Sequence, residues 1–212
     1  RPGRVVILGG SGFVGQWLQE GLRSLEIACL SFSSSQLDLT APEAATFLQQ
    51  QLSPTDALVF CSALTPDKGR DSATLLKNLR MGHHVAAALE KSPCRHVVYI
   101  SSDAVYEESP NPVHDDTAPA PASLYALMHL TREKMLEGAL LRAGVPLLIL
   151  RPCAIYGPGD THNSYGPNRF LRSARQEGRI VLFGQGEERR HHLFVRDLVA
   201  VLVECLQRRS HG

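Results

Sequence analysis

The stretch Val5-Val6-Ile7-Leu8-Gly9-Gly10-Ser11-Gly12-Phe13-Val14-Gly15 decides the fold of this 212-residue chain. Four apolar, mostly β-branched residues read as a buried parallel strand. Glycines at 9, 12 and 15 make the turn, and the amphipathic stretch 13–25 reads as a helix. The three glycines serve different ends: one allows a tight turn, one lets the backbone approach a pyrophosphate, and one lets helix pack on strand. Free N–H groups and the dipole at the helix start favour a bound diphosphate. A glycine triplet alone is weak evidence; strand, turn and helix in this order point to dinucleotide binding.

Outward from that turn, strands and helices alternate. Short β-rich runs lie at 5–8, 27–32, 57–61, 97–101 and 147–151, with helical patterns at 13–25, 41–52, 71–91 and 123–143. Alternation of this kind predicts an α/β fold, a Rossmann-type doubly wound parallel sheet. Two irregular stretches, 107–123 and 156–168, read as long loops at the carboxyl edge of the sheet, where such folds bind ligands. Beyond Arg151 the pattern predicts a helix over 168–177, a strand over 179–183 and a last helix from Asp197. The expected organisation is a dinucleotide-binding domain over 1–155 and a small, truncated C-terminal substrate lobe with a return helix over 156–212.

Composition narrows the function classes. With 43% hydrophobic and 20% charged residues the chain can bury a sizeable core, and a net charge of +1 gives no support for nucleic acid or an anionic membrane as partner. No apolar run is long enough to span a bilayer, and no charged-then-apolar leader precedes the first strand. Five dispersed cysteines fit a reducing compartment, so a cytoplasmic location is expected. The pairs His83-His84 and His191-His192 lack a carboxylate cluster, so no metal is expected.

The chemistry-bearing residues follow the fourth clear strand, in Ser101-Ser102-Asp103-Ala104-Val105-Tyr106, and open the helix near 123, in Ser123-Leu124-Tyr125-Ala126-Leu127-Met128-His129. Tyr125 and His129 share a helix face, and a cation one turn from a phenol is an acid–base device. A serine at a strand end could orient a substrate hydroxyl beside that phenol. The bland readings are a strand-terminating Ser102, a core Tyr125 and a surface Arg190.

In these motifs the chain resembles the extended short-chain dehydrogenase/reductase family, the NAD(P)-dependent nucleotide-sugar epimerases and dehydratases. The resemblance also rests on Asp38-Leu39, Cys61-Ser62-Ala63, Asn78, Arg151-Pro152, Ile155-Tyr156-Gly157-Pro158-Gly159-Asp160, Leu182-Phe183-Gly184, and Arg190 with Phe194-Val195-Arg196-Asp197. It implies Ser102, Tyr125 and His129 as the catalytic set, Tyr125 being the acid–base group. It implies a site for NAD or NADP at Gly9, Gly12, Phe13, Val14, Gly15, Ser31, Asp38, Leu39, Cys61, Ser62, Ala63, Asn78 and Pro152. Asp103, Asn163 and Arg190 would meet a nucleotide-sugar substrate, Arg190 at its diphosphate. A homodimer through the helices at 71–91 and 123–143 is also implied.

The chain departs from the family at several points. His129 replaces the lysine four residues after the tyrosine, Ser31 replaces the acidic residue after the second strand, His191 follows Arg190, and Ala104 follows Asp103. A histidine is shorter than lysine and mostly neutral at pH 7 unless stabilised, so His129 would stand in for the lysine only when protonated; Ser31 would let NADP bind at least comparably to NAD. The leading expectation is a nucleotide-sugar epimerase working by transient hydride transfer. The alternatives are a dinucleotide-binding scaffold or redox sensor without turnover, and an NADPH-dependent carbonyl reductase.

Overall fold

The computed structural model describes residues 1–107, 112–114, 116–161, 166–182, 184–187 and 189–212. Five parallel strands form the central sheet: β1 (Arg4–Leu8), β2 (Cys29–Phe32), β3 (Asp56–Phe60), β4 (His96–Ile100) and β5 (Leu147–Leu150), in the order β2-β1-β3-β4-β5. The connecting helices are α1 (Phe13–Ser24), α2 (Ala44–Gln51), α3 (Ser72–Lys91) and α4 (Leu124–Ala143).

Alternating side chains send the strands' apolar residues to two faces. Val6, Leu8, Leu58, Phe60, Val97 and Tyr99 pack toward a cluster that includes Leu48, Leu89 and Leu136 from α2, α3 and α4. Val5, Ile7, Ala57, Val59, Val98 and Ile100 join Leu18 and Leu22 of α1 on the other face. There the final helix, α6 (Val195–Arg208), adds Leu198, Leu202 and Leu206. Local chemistry sets the helix ends. Ser123 caps α4 by accepting from the Ala126 N–H at 3.1 Å, and Asp71 caps α3 by accepting from the Thr74 N–H at 2.8 Å.

The chain after β5 departs from the sequence expectation. Two three-residue strands, β6 (Ala154–Tyr156) and β7 (His192–Phe194), pair in parallel as a separate small sheet. Between them lies α5 (Asn168–Glu177), over the expected range. The strand expected at 179–183 is absent from 179–182, the part that is described. Ile180, Val181 and Leu182 are about half-exposed instead, so their β propensity finds no sheet partner to bury them. The last helix starts at Val195, two residues earlier than expected. No helix among the described residues is long and apolar enough to cross a membrane.

Candidate active site

Strand order reverses between β1 and β3, and the loops leaving their carboxyl ends form the crevice in which open α/β sheets bind ligands. The β1 turn is held by backbone bonds from the Gly9 and Gly10 N–H groups to the Phe32 carbonyl, at 2.9 and 3.0 Å. Gly9 has φ +97°, and a Cβ there would meet Ser62 Oγ at 2.9 Å. A Cβ on Gly15 would lie 2.3 Å from the Gly9 carbonyl oxygen, so helix and turn touch backbone to backbone. Gly12 differs: its backbone is ordinary extended chain, and its Cβ would approach only the Gly9 oxygen, at 3.2 Å. A side chain at 12 would therefore meet only that one backbone oxygen, closely, which is a milder conflict than at 9 or 15. No side chain caps α1, so its first N–H groups stand uncapped. The residues present fit a dinucleotide diphosphate at this turn.

Phe13 and Val14 open α1, half-buried. Ser31 is the third residue of β2, and its Oγ stands 1.8 Å from where a Gly10 Cβ would be. Asp38 is exposed and accepts from the Thr40 N–H and hydroxyl, both at 2.8 Å. These bonds hold its carboxyl below its ordinary range, the backbone N–H contributing most. Leu39 is buried. Cys61, Ser62 and Ala63 leave β3 half-buried; burial pushes the Cys61 thiol up to about 12, so it is no nucleophile. Asn78 is buried on α3, where it accepts from the Leu64 N–H at 2.9 Å and donates to the Leu64 carbonyl at 3.0 Å. Pro152 accepts from the Asp103 N–H at 3.2 Å, tying the loop after β5 to the one after β4.

Beyond β4 the two serines divide. Ser101 is buried and donates to Glu133 at 2.5 Å, whereas half-buried Ser102 accepts from the Ala104 N–H at 3.1 Å and donates to Asp103 at 3.3 Å. Burial raises the Asp103 carboxyl; the Ser102 hydroxyl and the Arg190 charge oppose that rise. Glu133 is fully buried and holds Arg151 through two bonds of 3.0 and 2.6 Å, while Arg151 also donates to the Tyr106 hydroxyl at 2.7 Å. This network joins β4, α4 and the loop after β5. Sequence reasoning missed Glu133 and the buried Arg132 beside it.

Tyr125, Asn78 and Arg190 line one cavity of about 930 Å³. Arg70, Arg169 and Arg189 also line it, with Asp71 the one carboxylate among the described residues that line it, so its lining is net cationic. Asn163 and Phe183 lie outside the described residues. His129 is buried, and desolvation with the neighbouring Arg132 charge lowers its pKa to about 3. Its Nδ1 shares a hydrogen with the Tyr99 hydroxyl at 2.7 Å, and its ring meets Tyr125 edge-on at 4.6 Å. Burial thus favours the neutral imidazole at the position where the family has lysine.

Comparison with known proteins bears on this geometry. The model of the NAD dependent epimerase/dehydratase family matches residues 5–212. An uncharacterised UDP-glucose epimerase of Bacillus subtilis, YtcB, is 26% identical over 129 residues, 61% of this chain and 40% of that protein. The chain thus spans less than half the length of that relative. UDP-N-acetylglucosamine 4-epimerase from Bacillus cereus superposes with a TM-score of 0.84 at 20% identity, covering 99% of this chain and 75% of its own. UDP-glucose 4-epimerase from Thermus thermophilus, solved with NAD, gives 0.83 at 21% identity, over 96% and 74%. At those identities the likeness is one of fold. With the strand order, the glycine turn and the family match over residues 5–212, this chain belongs to the NAD dependent epimerase/dehydratase family.

Proposed function

We propose that the chain belongs to an NAD-dependent epimerase acting on a nucleotide sugar. The observation that carries this reading is the shared cavity: an acid–base candidate, Tyr125, and a diphosphate-binding candidate, Arg190, line the same space. NAD would be held by the Gly9–Gly15 turn, the Cys61–Ala63 loop and Asn78, and when bound it would supply a hydride acceptor and donor. Tyr125 would remove and return the proton of a sugar hydroxyl, with Ser102 orienting that hydroxyl. Arg190 would clamp the diphosphate through its planar fork of donors. YtcB and the two superposed epimerases, all named for UDP-sugars, make a nucleoside diphosphate sugar the leading substrate class. Assembly as a homodimer through α3 and α4 and a cytoplasmic location belong to the same proposal.

Binding and turnover test the reading separately. NAD is titrated into the wild type and into Gly12→Val shown by circular dichroism to be folded; the variant should lose NAD, because its side chain enters the diphosphate space. Equal NAD binding by the two would overturn the cofactor site. With UDP-sugars, Tyr125→Phe should lower turnover on the order of 10²–10⁴-fold. Unchanged turnover would move the chemistry elsewhere, and NAD binding without any turnover in the wild type would establish the scaffold reading.

A further inference from the structure

Helix α3 grips two of the loops that leave the carboxyl edge of the sheet. One grip is Asn78, whose side chain holds both the N–H and the carbonyl of Leu64 after β3. The other comes from the histidine pair at 83 and 84, which the site described above does not use. His83 is exposed, whereas His84 is half-buried and its Nδ1 lies 2.9 Å from the Leu39 carbonyl oxygen. A carbonyl oxygen only accepts, so Nδ1 carries the hydrogen and donates it. No backbone N–H among the described residues reaches that oxygen. The bond therefore ties α3 to the loop between β2 and α2.

That loop begins where the glycine turn is pinned, since Phe32 at the end of β2 accepts from both the Gly9 and the Gly10 N–H. In folds of this type the adenosine ribose is met at the end of the second strand. A dinucleotide with its diphosphate on the turn thus runs its adenosine half toward this loop. Leu37 and Leu39 bury their side chains in the core, and Asp38 between them is exposed. The Asp38 carboxylate accepts from the Thr40 N–H at 2.8 Å. The Leu39 carbonyl and the Thr40 N–H belong to one peptide unit. His84 holds that unit by its oxygen, and Asp38 holds it by its N–H.

We infer that His84 is a positioning residue for the adenosine half of the cofactor: from α3 it fixes the Leu39–Thr40 peptide, and that peptide fixes the Asp38 carboxylate. The inference rests on the reading of the glycine turn and of Asp38-Leu39 as parts of the NAD site. Burial of Leu37 and Leu39 sets the depth of the loop, but it leaves the plane of the peptide free to turn. The bonds from Asp38 to Thr40 move with the loop and anchor it to nothing outside itself. The His84 bond supplies that anchor from a helix packed on the core through Val85 and Leu89.

The test joins a ligand-free measurement to binding. Histidines are labelled with ¹⁵N, and the His84 ring is identified by its loss in His84→Asn. Ring ¹H–¹⁵N correlations at about pH 8, above the ordinary imidazole range, should show the hydrogen on Nδ1. Calorimetric titration should give His84→Phe an NAD affinity about fivefold weaker than that of the wild type, the worth of one hydrogen bond. His84→Asn keeps a donor nitrogen at the same place along the side chain as Nδ1, and should lie within about twofold of the wild type. UDP should bind alike to all three, because Thr74 and Asn78 of α3 line the cavity and a displaced helix would disturb both ligands. Hydrogen on Nε2 in the wild type, a loss that His84→Asn shares in full, or a loss shared by UDP would overturn the inference. If His84→Phe does not fold, the ring tautomer in the wild type decides. NAD bound alike by all three proteins overturns this inference alone, whereas a wild type that binds no NAD overturns the cofactor reading and this inference with it.

Discussion

Helices α4 and α5 contribute to the walls of one cavity, yet they are built on opposite plans. α4 buries eight residues, and three of them, His129, Arg132 and Glu133, are polar or charged groups held by neighbours in β4, α3 and the loop after β5. α5 buries none; it presents Arg169 and Phe170 from a frame consisting of β6, β7 and irregular chain. One wall is positioned by the core before any ligand arrives. The other takes its definition from surface contacts, so a bound ligand has more to organise there. If the comparison is right, substitutions on α4 should register in the stability of the whole fold, and those on α5 or its loops should register in ligand binding or not at all.

The largest expected effect is the acid response of His129. Its folded pKa of about 3 lies below the ordinary value of 6.5. The unfolded chain therefore binds a proton that the folded chain refuses. The contribution to stability is fully present above pH 6.5 and is lost as pH falls toward 3. By linkage that loss amounts to about 4–5 kcal/mol. His96, also lowered by burial, adds in the same direction. Urea unfolding at a series of pH values should show His129→Gln with a flatter acid limb than the wild type. Parallel limbs would mean that His129 is not sequestered by the core.

Glu133 comes next. Glu133→Ala would leave Arg151 without its carboxylate and Ser101 without its acceptor, which should cost about 3–5 kcal/mol. The midpoint of denaturant unfolding measures it directly. A loss below about 1 kcal/mol would put this ion pair in the class of surface pairs and weaken the contrast with α5.

The same contrast explains what could be read from the chain. The glycine turn, the parallel sheet and α5 at 168–177 were legible, because hydrophobic period and turn chemistry act locally. Motif order singled out Ser102, Tyr125 and Arg190, and the structure sets Tyr125 and Arg190 on the walls of one cavity. β6 and β7 were not: three residues carry too little pattern to separate a strand from a loop. Ile180-Val181-Leu182 misled for the opposite reason, since β-branched composition cannot report that no partner strand is present. Arg132 and Glu133 were missed because charged residues on an amphipathic helix ordinarily mark the solvent face. A signal was available, however. Ala126, His129, Arg132, Glu133, Leu136 and Leu140 recur at helical spacing, so the two charges interrupt an apolar stripe and do not border it.

On the other wall the expected effects are smaller and of a different kind. Arg190→Ala should leave stability unchanged, since Arg190 is exposed, and should weaken binding of UDP by about 1.5–3 kcal/mol. NAD affinity, read in the same calorimetric series, should not move. Equal losses for UDP and NAD would show that Arg190 acts on the structure and not on one ligand.

The smallest effect belongs to α5 itself. Leu171 is 50% exposed, and it lies on a helix whose other side chains are likewise unburied. Leu171→Gln keeps helix propensity nearly constant, so the change isolates packing. Surface positions of this kind move stability within about 0.5 kcal/mol, and thermal unfolding should place the variant within a few degrees of the wild type. A stability loss above about 2 kcal/mol would mean that α5 is packed as firmly as α4. The division between a core-built wall and a ligand-organised wall would then fail.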